Sequence, residues 1–188
     1  RQRQMCIRDR IPKICKIFRE ENEELTGFEN EEILAEYQIY KTPGYVYMKG
    51  NVQIYSAGKQ AADISAFPEG IAVAVGSEED VPDICPDQTI DKVFTIENLT
   101  SFYRFKQEHS LVIYLGGYHN HSRRNLLMQI YQKLPDAQYY HFGDLDAGGF
   151  YILEHLKRKT GIPFQMFQMD IETLKKYEDY AKPLTCLL

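Results

Sequence analysis

From residue 92 onward the chain alternates short apolar runs with longer amphipathic ones: KVFTIEN, LTSFYRFKQEH, LVIYLGG, SRRNLLMQIYQKL, AQYYHFGD, FYILEHLKRKTG and PFQMFQM. The odd-numbered runs are nearly continuously apolar at their centres, as strands covered on both faces are. The even-numbered runs read as helices: SRRNLLMQIYQKL spaces its apolar residues at i, i+3 and i+4, and Gly161 closes the helix FYILEHLKRKTG. Strands and helices that alternate with short turns bury their apolar faces as a parallel sheet with helices on both sides. The expectation is therefore an α/β fold with four parallel strands. In such sheets ligands bind beyond the carboxyl ends of the strands.

Those ends carry acids. Glu97 closes the first strand, and HFGDLDAGGF (141–150) places Asp144 at the end of the third and Asp146 two residues on. An extended backbone points both aspartates the same way. Like charges so close raise each other's pKa unless a cation lies between them. Three hard oxygen donors with no His or Cys among them favour Mg²⁺ or Mn²⁺ over zinc. Gly148 and Gly149 then let the chain turn sharply and let a bulky anionic ligand approach the backbone amides. A plainer account makes Asp146 only the cap of the helix that follows. An isolated DxD is a weak motif, but Glu97 occupies the corresponding strand end one βαβα unit earlier. If Glu97 and Asp144 share a site, their strands are neighbours and the order is 2-1-3-4.

The first half of the chain is chemically quieter. Residues 20–36 are acidic and helix-compatible, YVYMKGNVQIYS reads as a β-hairpin turning at Gly50-Asn51, and FPEGIAVAV ends in a strand. SEEDVPDICPDQ, with its acids and two prolines, reads as a loop or linker. The opening RQRQMCIRDR resembles translated sequencing-adapter DNA, and the closing TCLL resembles the start of its counterpart. The expected division is thus a non-native tail at 1–10, a small α+β segment at 11–88, and a parallel-sheet domain at 89–188 truncated at its C-terminus, the whole being a fragment of a longer protein.

At 188 residues and 44% hydrophobic content the chain supports one good core, or one core plus a small appendage. It holds no apolar run long enough for a membrane span and nothing resembling a signal peptide, so the cytoplasm is the expected location. Cys6, Cys15, Cys85 and Cys186 lack metal-ligand or disulfide-framework spacing and read as free thiols. The formal net charge is -5; without the first nine residues the count becomes 19 basic against 26 acidic, a net of -7.

TIEN followed by LTSF, then VIYLGGY, then HFGDLDAGGFYILEHL resembles the TOPRIM domain, and in detail the carboxy-terminal domain of the JetD family, nuclease subunits of Wadjet-type SMC plasmid-defence systems. The similarity covers about residues 90–170, with a weaker match from YMKG to FPEGIAVAV. It implies a TOPRIM-like sheet and a Mg²⁺- or Mn²⁺-dependent DNA endonuclease, related to the A subunit of topoisomerase VI. It carries metal and catalytic roles to Glu97, Asp144 and Asp146. Double-stranded DNA, SMC, kleisin and accessory subunits become the implied partners, with a homodimer of the full-length protein. Asp144 and Asp146 would hold the metal; Glu97 would hold a second ion or act as general base. The region that carries the tyrosine of the topoisomerase relatives is not clearly matched, so water is the favoured nucleophile.

Two other readings compete. A catalytically inactive scaffold of the same fold would be favoured by a lost acid, and all three are present. A haloacid-dehalogenase-type phosphatase also uses DxD after a strand but needs Thr or Val two residues beyond the second Asp, where this chain has Gly148. His119 and His121 read as a solvated turn, Arg123 and Arg124 as solvated residues opening a helix near the acids. Lys157, Arg158 and Lys159 complement a helix dipole. The overall acidity argues against this segment gripping DNA unaided.

Overall fold

The computed structural model describes residues 15–17, 20, 44–75, 82–116 and 121–180. The chain divides into two units, Arg1–Thr42 and Pro43–Leu188. In the first, residues 15–17 and 20 are helical, Cys15 is buried, and Lys16 pairs with Glu20 one turn on. Most of the acidic stretch 20–36, together with Cys6 and Cys186, lies outside the described residues.

The second unit holds nine strands among the described residues: β1 Gly44–Lys49, β2 Val52–Ser56, β3 Lys59–Asp63, β4 Ile71–Val75, β5 Asp83–Pro86, β6 Lys92–Ile96, β7 Ser110–Tyr114, β8 Gln138–Phe142 and β9 Gln165–Met166. Its helices are α1 Leu99–Arg104, α2 His121–Lys133, α3 Ala147–Thr160 and α4 Ile171–Lys176. A six-stranded mixed sheet runs β4-β1-β7-β6-β8-β9, and a three-stranded sheet runs β3-β2-β5. Strands β7, β6, β8 and β9 pair in parallel, which is the order 2-1-3-4 required by a shared acid site. Among the described residues no helix is long and apolar enough to cross a membrane.

The sheet departs from the expected four strands because β1 adds to β7 antiparallel, through Met48↔Ile113 and Lys49↔Val112, and β4 adds to β1. The ladder between β1 and β7 crosses residue 88, where the sequence reading divides the chain. Gly50-Asn51 does not turn a hairpin: β1 stays in the large sheet, whereas β2 pairs with β3 and β5 in the small one. Gly50 has φ +140°, and a Cβ there would stand 2.6 Å from the Ser110 carbonyl oxygen, so the glycine serves the close approach to β7. The supposed linker SEEDVPDICPDQ contains β5; its Pro86 ends an edge strand, where a missing N–H is tolerated. Helix α1 stops at Arg104, and the fourth parallel strand is reduced to two residues.

Alternation along the strands sorts side chains to two faces. Val93, Leu111, Ile113 and Tyr139 join Leu126, Leu127 and Ile130 of α2 and Leu153 and Leu156 of α3 in one core. Phe94, Ile96 and Val112 face the other way and meet Phe102 of α1, with Phe105, Tyr140, Phe142 and Phe167 around them. Helices therefore cover both faces, as expected of a parallel sheet. Lys49, 7% exposed, ties β1 to α1: its Nζ donates to the carbonyl oxygens of Phe102 at 2.6 Å and Tyr103 at 3.3 Å. These carbonyls belong to the last turn of α1, where the dipole favours a cation.

Candidate metal centre

Strands β6 and β8 lie side by side with Ile96 opposite Phe142, and the Glu97 N–H donates to the Phe142 carbonyl at 3.0 Å. Glu97 and Asp144 consequently leave the sheet at the same edge. Each is followed by a helix cap. Asn98 Oδ1 accepts from the N–H groups of Thr100 and Ser101 at 2.9 and 3.1 Å and starts α1. Asp146 Oδ1 accepts from the Gly149 N–H at 2.8 Å and starts α3. The capping account of Asp146 is thus realised, but it engages one carboxylate oxygen of the two.

Glu97 is half-buried, and its Oε2 is buried with no hydrogen-bond partner among the described residues. Burial raises its pKa, and the charge of Asp144 and then that of Asp146 add to the effect, against the opposing pull of the Asp144 backbone N–H. Asp144 and Asp146 are therefore within electrostatic reach of Glu97. Asp144 and Asp146 are exposed. No group of three or more His, Cys, Asp or Glu among the described residues is already arranged to hold a metal ion.

The glycines divide their work differently from the sequence expectation. A Cβ at Gly149 would stand 2.2 Å from the Asp144 carbonyl oxygen, so this glycine accommodates the chain's own backbone. A Cβ at Gly148 would meet only the Asp146 carboxylate, at 3.1 Å. Gly143 has a role that the sequence reading missed: its Cβ would lie 2.9 Å from both Glu97 Oε2 and His141 Nε2. The two side chains thus converge over the Gly143 backbone.

His141 is fully buried, and its Nδ1 lies 3.0 Å from Thr95 Oγ1, which in turn bonds the Tyr140 carbonyl at 3.2 Å. Thr95 and His141 are register partners on adjacent strands. Two polar residues at matching positions of two apolar strands were the available sequence signal. Arg123 is not a solvated arginine: it is half-buried, donates from Nη1 to the Leu115 carbonyl just beyond β7, and burial lowers its pKa. His119 and the side chain of His121 lie outside the described residues. Lys157, Arg158 and Lys159 fill the last turn of α3, and Lys157 pairs with Glu154 at 2.8 Å.

The fold is that of a mixed α/β protein with Glu97, Asp144 and Asp146 just beyond the carboxyl ends of two neighbouring parallel strands. Residues 78–185 match the family model described as Wadjet protein JetD, C-terminal, and the chain belongs to the JetD family. It is 32% identical over 141 residues to the Wadjet protein JetD of Bacillus cereus (strain Q1), an alignment covering 72% of this chain and 34% of that protein. The chain therefore spans about a third of the length of this relative. All three acids fall inside the segment matched by the family model.

Proposed function

We propose that this chain is the TOPRIM-type, metal-dependent DNA-cleaving part of a subunit of a Wadjet defence complex, working in the cytoplasm with SMC, kleisin and accessory subunits. The observation that carries this reading is the buried Glu97 Oε2, which lacks a hydrogen bond at the strand edge from which Asp144 also leaves the sheet. Membership of the JetD family supplies the biological setting. A buried carboxylate oxygen without a donor is costly alone and is satisfied by a hard cation.

Glu97, Asp144 and Asp146 would hold Mg²⁺ or Mn²⁺. Bound there, the cation would offset the charge of the phosphate and of the departing 3′-oxygen. The exposed side chains of Asp144 and Asp146 have room to turn toward Glu97, and the α3 cap fixes one oxygen of Asp146 while leaving the other for the ion. With its raised pKa, Glu97 is a better proton acceptor than an ordinary carboxylate and suits a water nucleophile. The helix cap made by Asp146 is the observation that favours the competing reading, an inactive scaffold.

Cleavage assays on a complete protein carrying this domain, with its complex partners, separate the two. Plasmid DNA is cut only with Mg²⁺ or Mn²⁺ present, and Glu97→Gln, Asp144→Asn and Asp146→Asn each abolish cutting while DNA binding survives. The cut ends carry no protein. Undiminished cutting by the triple variant refutes the carboxylate assignment, and protein-linked ends refute hydrolysis by water.

A further inference from the structure

Beneath the acid edge the two central strands carry a second pair of polar side chains. Thr95 of β6 and His141 of β8 are register partners, and both are fully buried. Residues two apart on a strand share a face. Glu97 therefore follows Thr95, and Gly143 follows His141, on one side of the sheet, and the ladder reaches them through the bond from the Glu97 N–H to the Phe142 carbonyl. Gly143 has no side chain to fill the place beside Glu97. The carboxylate and the imidazole meet there instead, since a Cβ on Gly143 would stand 2.9 Å from Glu97 Oε2 and 2.9 Å from His141 Nε2. The backbone does not ask for glycine at this position, because Gly143 has no positive φ. The space above it does.

The hydrogen bonds of Thr95 decide which nitrogen of His141 carries the proton. Thr95 Oγ1 has one proton and donates it to the Tyr140 carbonyl at 3.2 Å, so toward His141 Nδ1, 3.0 Å away, it accepts. Nδ1 is then the protonated nitrogen, and neutral imidazole has its lone pair on Nε2, the nitrogen beside Glu97 Oε2. Metal-binding histidines are held in this manner, with one nitrogen toward the ion and the other donating to a fixed acceptor. A purely structural pairing of Thr95 with His141 explains the bond at Nδ1. It does not explain why Nε2 and a carboxylate oxygen, both electron-pair donors, meet over a glycine.

We propose that His141 Nε2 is a ligand of the cation held by Glu97, and that it makes the site prefer Mn²⁺ to Mg²⁺. The proposal rests on the carboxylate reading above and adds a nitrogen donor to it. Glu97 and His141 form the buried wall of the site and are already side by side. Asp144 and Asp146 are exposed and close it from the solvent side, in keeping with the absence, among the described residues, of three donors assembled in advance. Mg²⁺ demands near-ideal octahedral geometry and oxygen ligands, whereas Mn²⁺ is also held by mixed carboxylate and imidazole sets. Replacing one oxygen donor by Nε2 therefore penalises Mg²⁺ more than Mn²⁺.

The test is pulsed electron paramagnetic resonance of the 188-residue chain loaded with Mn²⁺, together with Mn²⁺ and Mg²⁺ affinities from calorimetric titration. The parent should show the nitrogen modulation of a directly bound imidazole, and labelling histidine with the heavy nitrogen isotope should change its pattern. His141→Gln should lose the modulation and narrow the preference for Mn²⁺ over Mg²⁺. His119→Gln/His121→Gln should keep both. Thr95→Val, which removes the acceptor that fixes the tautomer, should weaken Mn²⁺ binding about tenfold, the low end for the partner of a metal-bound histidine, and Thr95→Ser should retain parental affinity. The isotope labelling and the Thr95 variants leave His141 in place, so the outcome does not depend on how well His141→Gln folds. Mn²⁺ bound without nitrogen modulation, modulation that survives His141→Gln, or equal Mn²⁺ affinity in Thr95→Val and Thr95→Ser overturns the histidine ligand and leaves the carboxylate reading standing. The absence of saturable Mn²⁺ binding by the parent overturns both.

Discussion

Glu97 carries the electrostatic tension of the site, and its raised pKa fixes the sign of a pH effect. The folded state binds the Glu97 proton more tightly than the unfolded chain does, so stability falls as pH rises from the ordinary glutamate value of 4.5 through the raised one. Glu97→Gln removes that loss. Without added metal it should raise the melting temperature at pH 7 to 8, and the advantage should vanish below pH 4.5, where Glu97 is protonated in both states. A gain independent of pH would mean that Glu97 is not under charge strain. Asp146 separates two roles that one side chain combines. Asparagine caps a helix about as well as aspartate, so Asp146→Asn should keep α3 intact and lose the metal response, whereas Asp146→Ala should also cost about 1 kcal/mol in denaturant unfolding. Equal destabilisation by both substitutions would contradict this division.

At the scale of elements, the turn from β8 into α3 places the acids, and its glycines differ in what they tolerate. Gly149→Ala drives a Cβ into the Asp144 carbonyl, which cannot retreat without moving the aspartate pair. A loss of about 3 kcal/mol is expected, the upper range for overpacking. Gly148→Ala meets only a carboxylate that can rotate, and it gains helix propensity of about 1 kcal/mol. It should leave stability unchanged or higher while weakening the metal response by displacing Asp146. Equal unfolding free energies for the two variants would contradict this reading of the turn. The parallel strand order was legible because each apolar run is followed by a helix, and because Glu97 and Asp144 required β6 and β8 to be neighbours. Gly50-Asn51 misled because a glycine needed for contact with Ser110 looks like a glycine needed for a hairpin turn. The strand within PDICP was hidden by its prolines, which an edge strand tolerates. His141 was hidden because a buried histidine is recognised by its neighbour Thr95, and that pairing exists only once β6 and β8 are side by side.

At the scale of the whole molecule, two antiparallel strands from the first half of the unit, β1 and β4, extend the parallel sheet and join segments that composition alone would divide. The buried Lys49 on β1 holds the end of α1, whose start is capped by Asn98 next to Glu97, so the added strands also support the acid edge. Residues 78–185, the segment matched by the family model, include Glu97, Asp144 and Asp146. The account stands or falls on whether Glu97, Asp144 and Asp146 bind a divalent cation together. Calorimetric titration of the 188-residue chain with Mn²⁺ at pH 7.5 tests this most directly. Saturable binding that is lost in the Glu97→Gln/Asp144→Asn/Asp146→Asn variant, with the fold of that variant intact by circular dichroism, is the predicted result. Mn²⁺ binding of equal strength in the parent and the triple variant, or no binding by the parent at millimolar Mn²⁺, would contradict it.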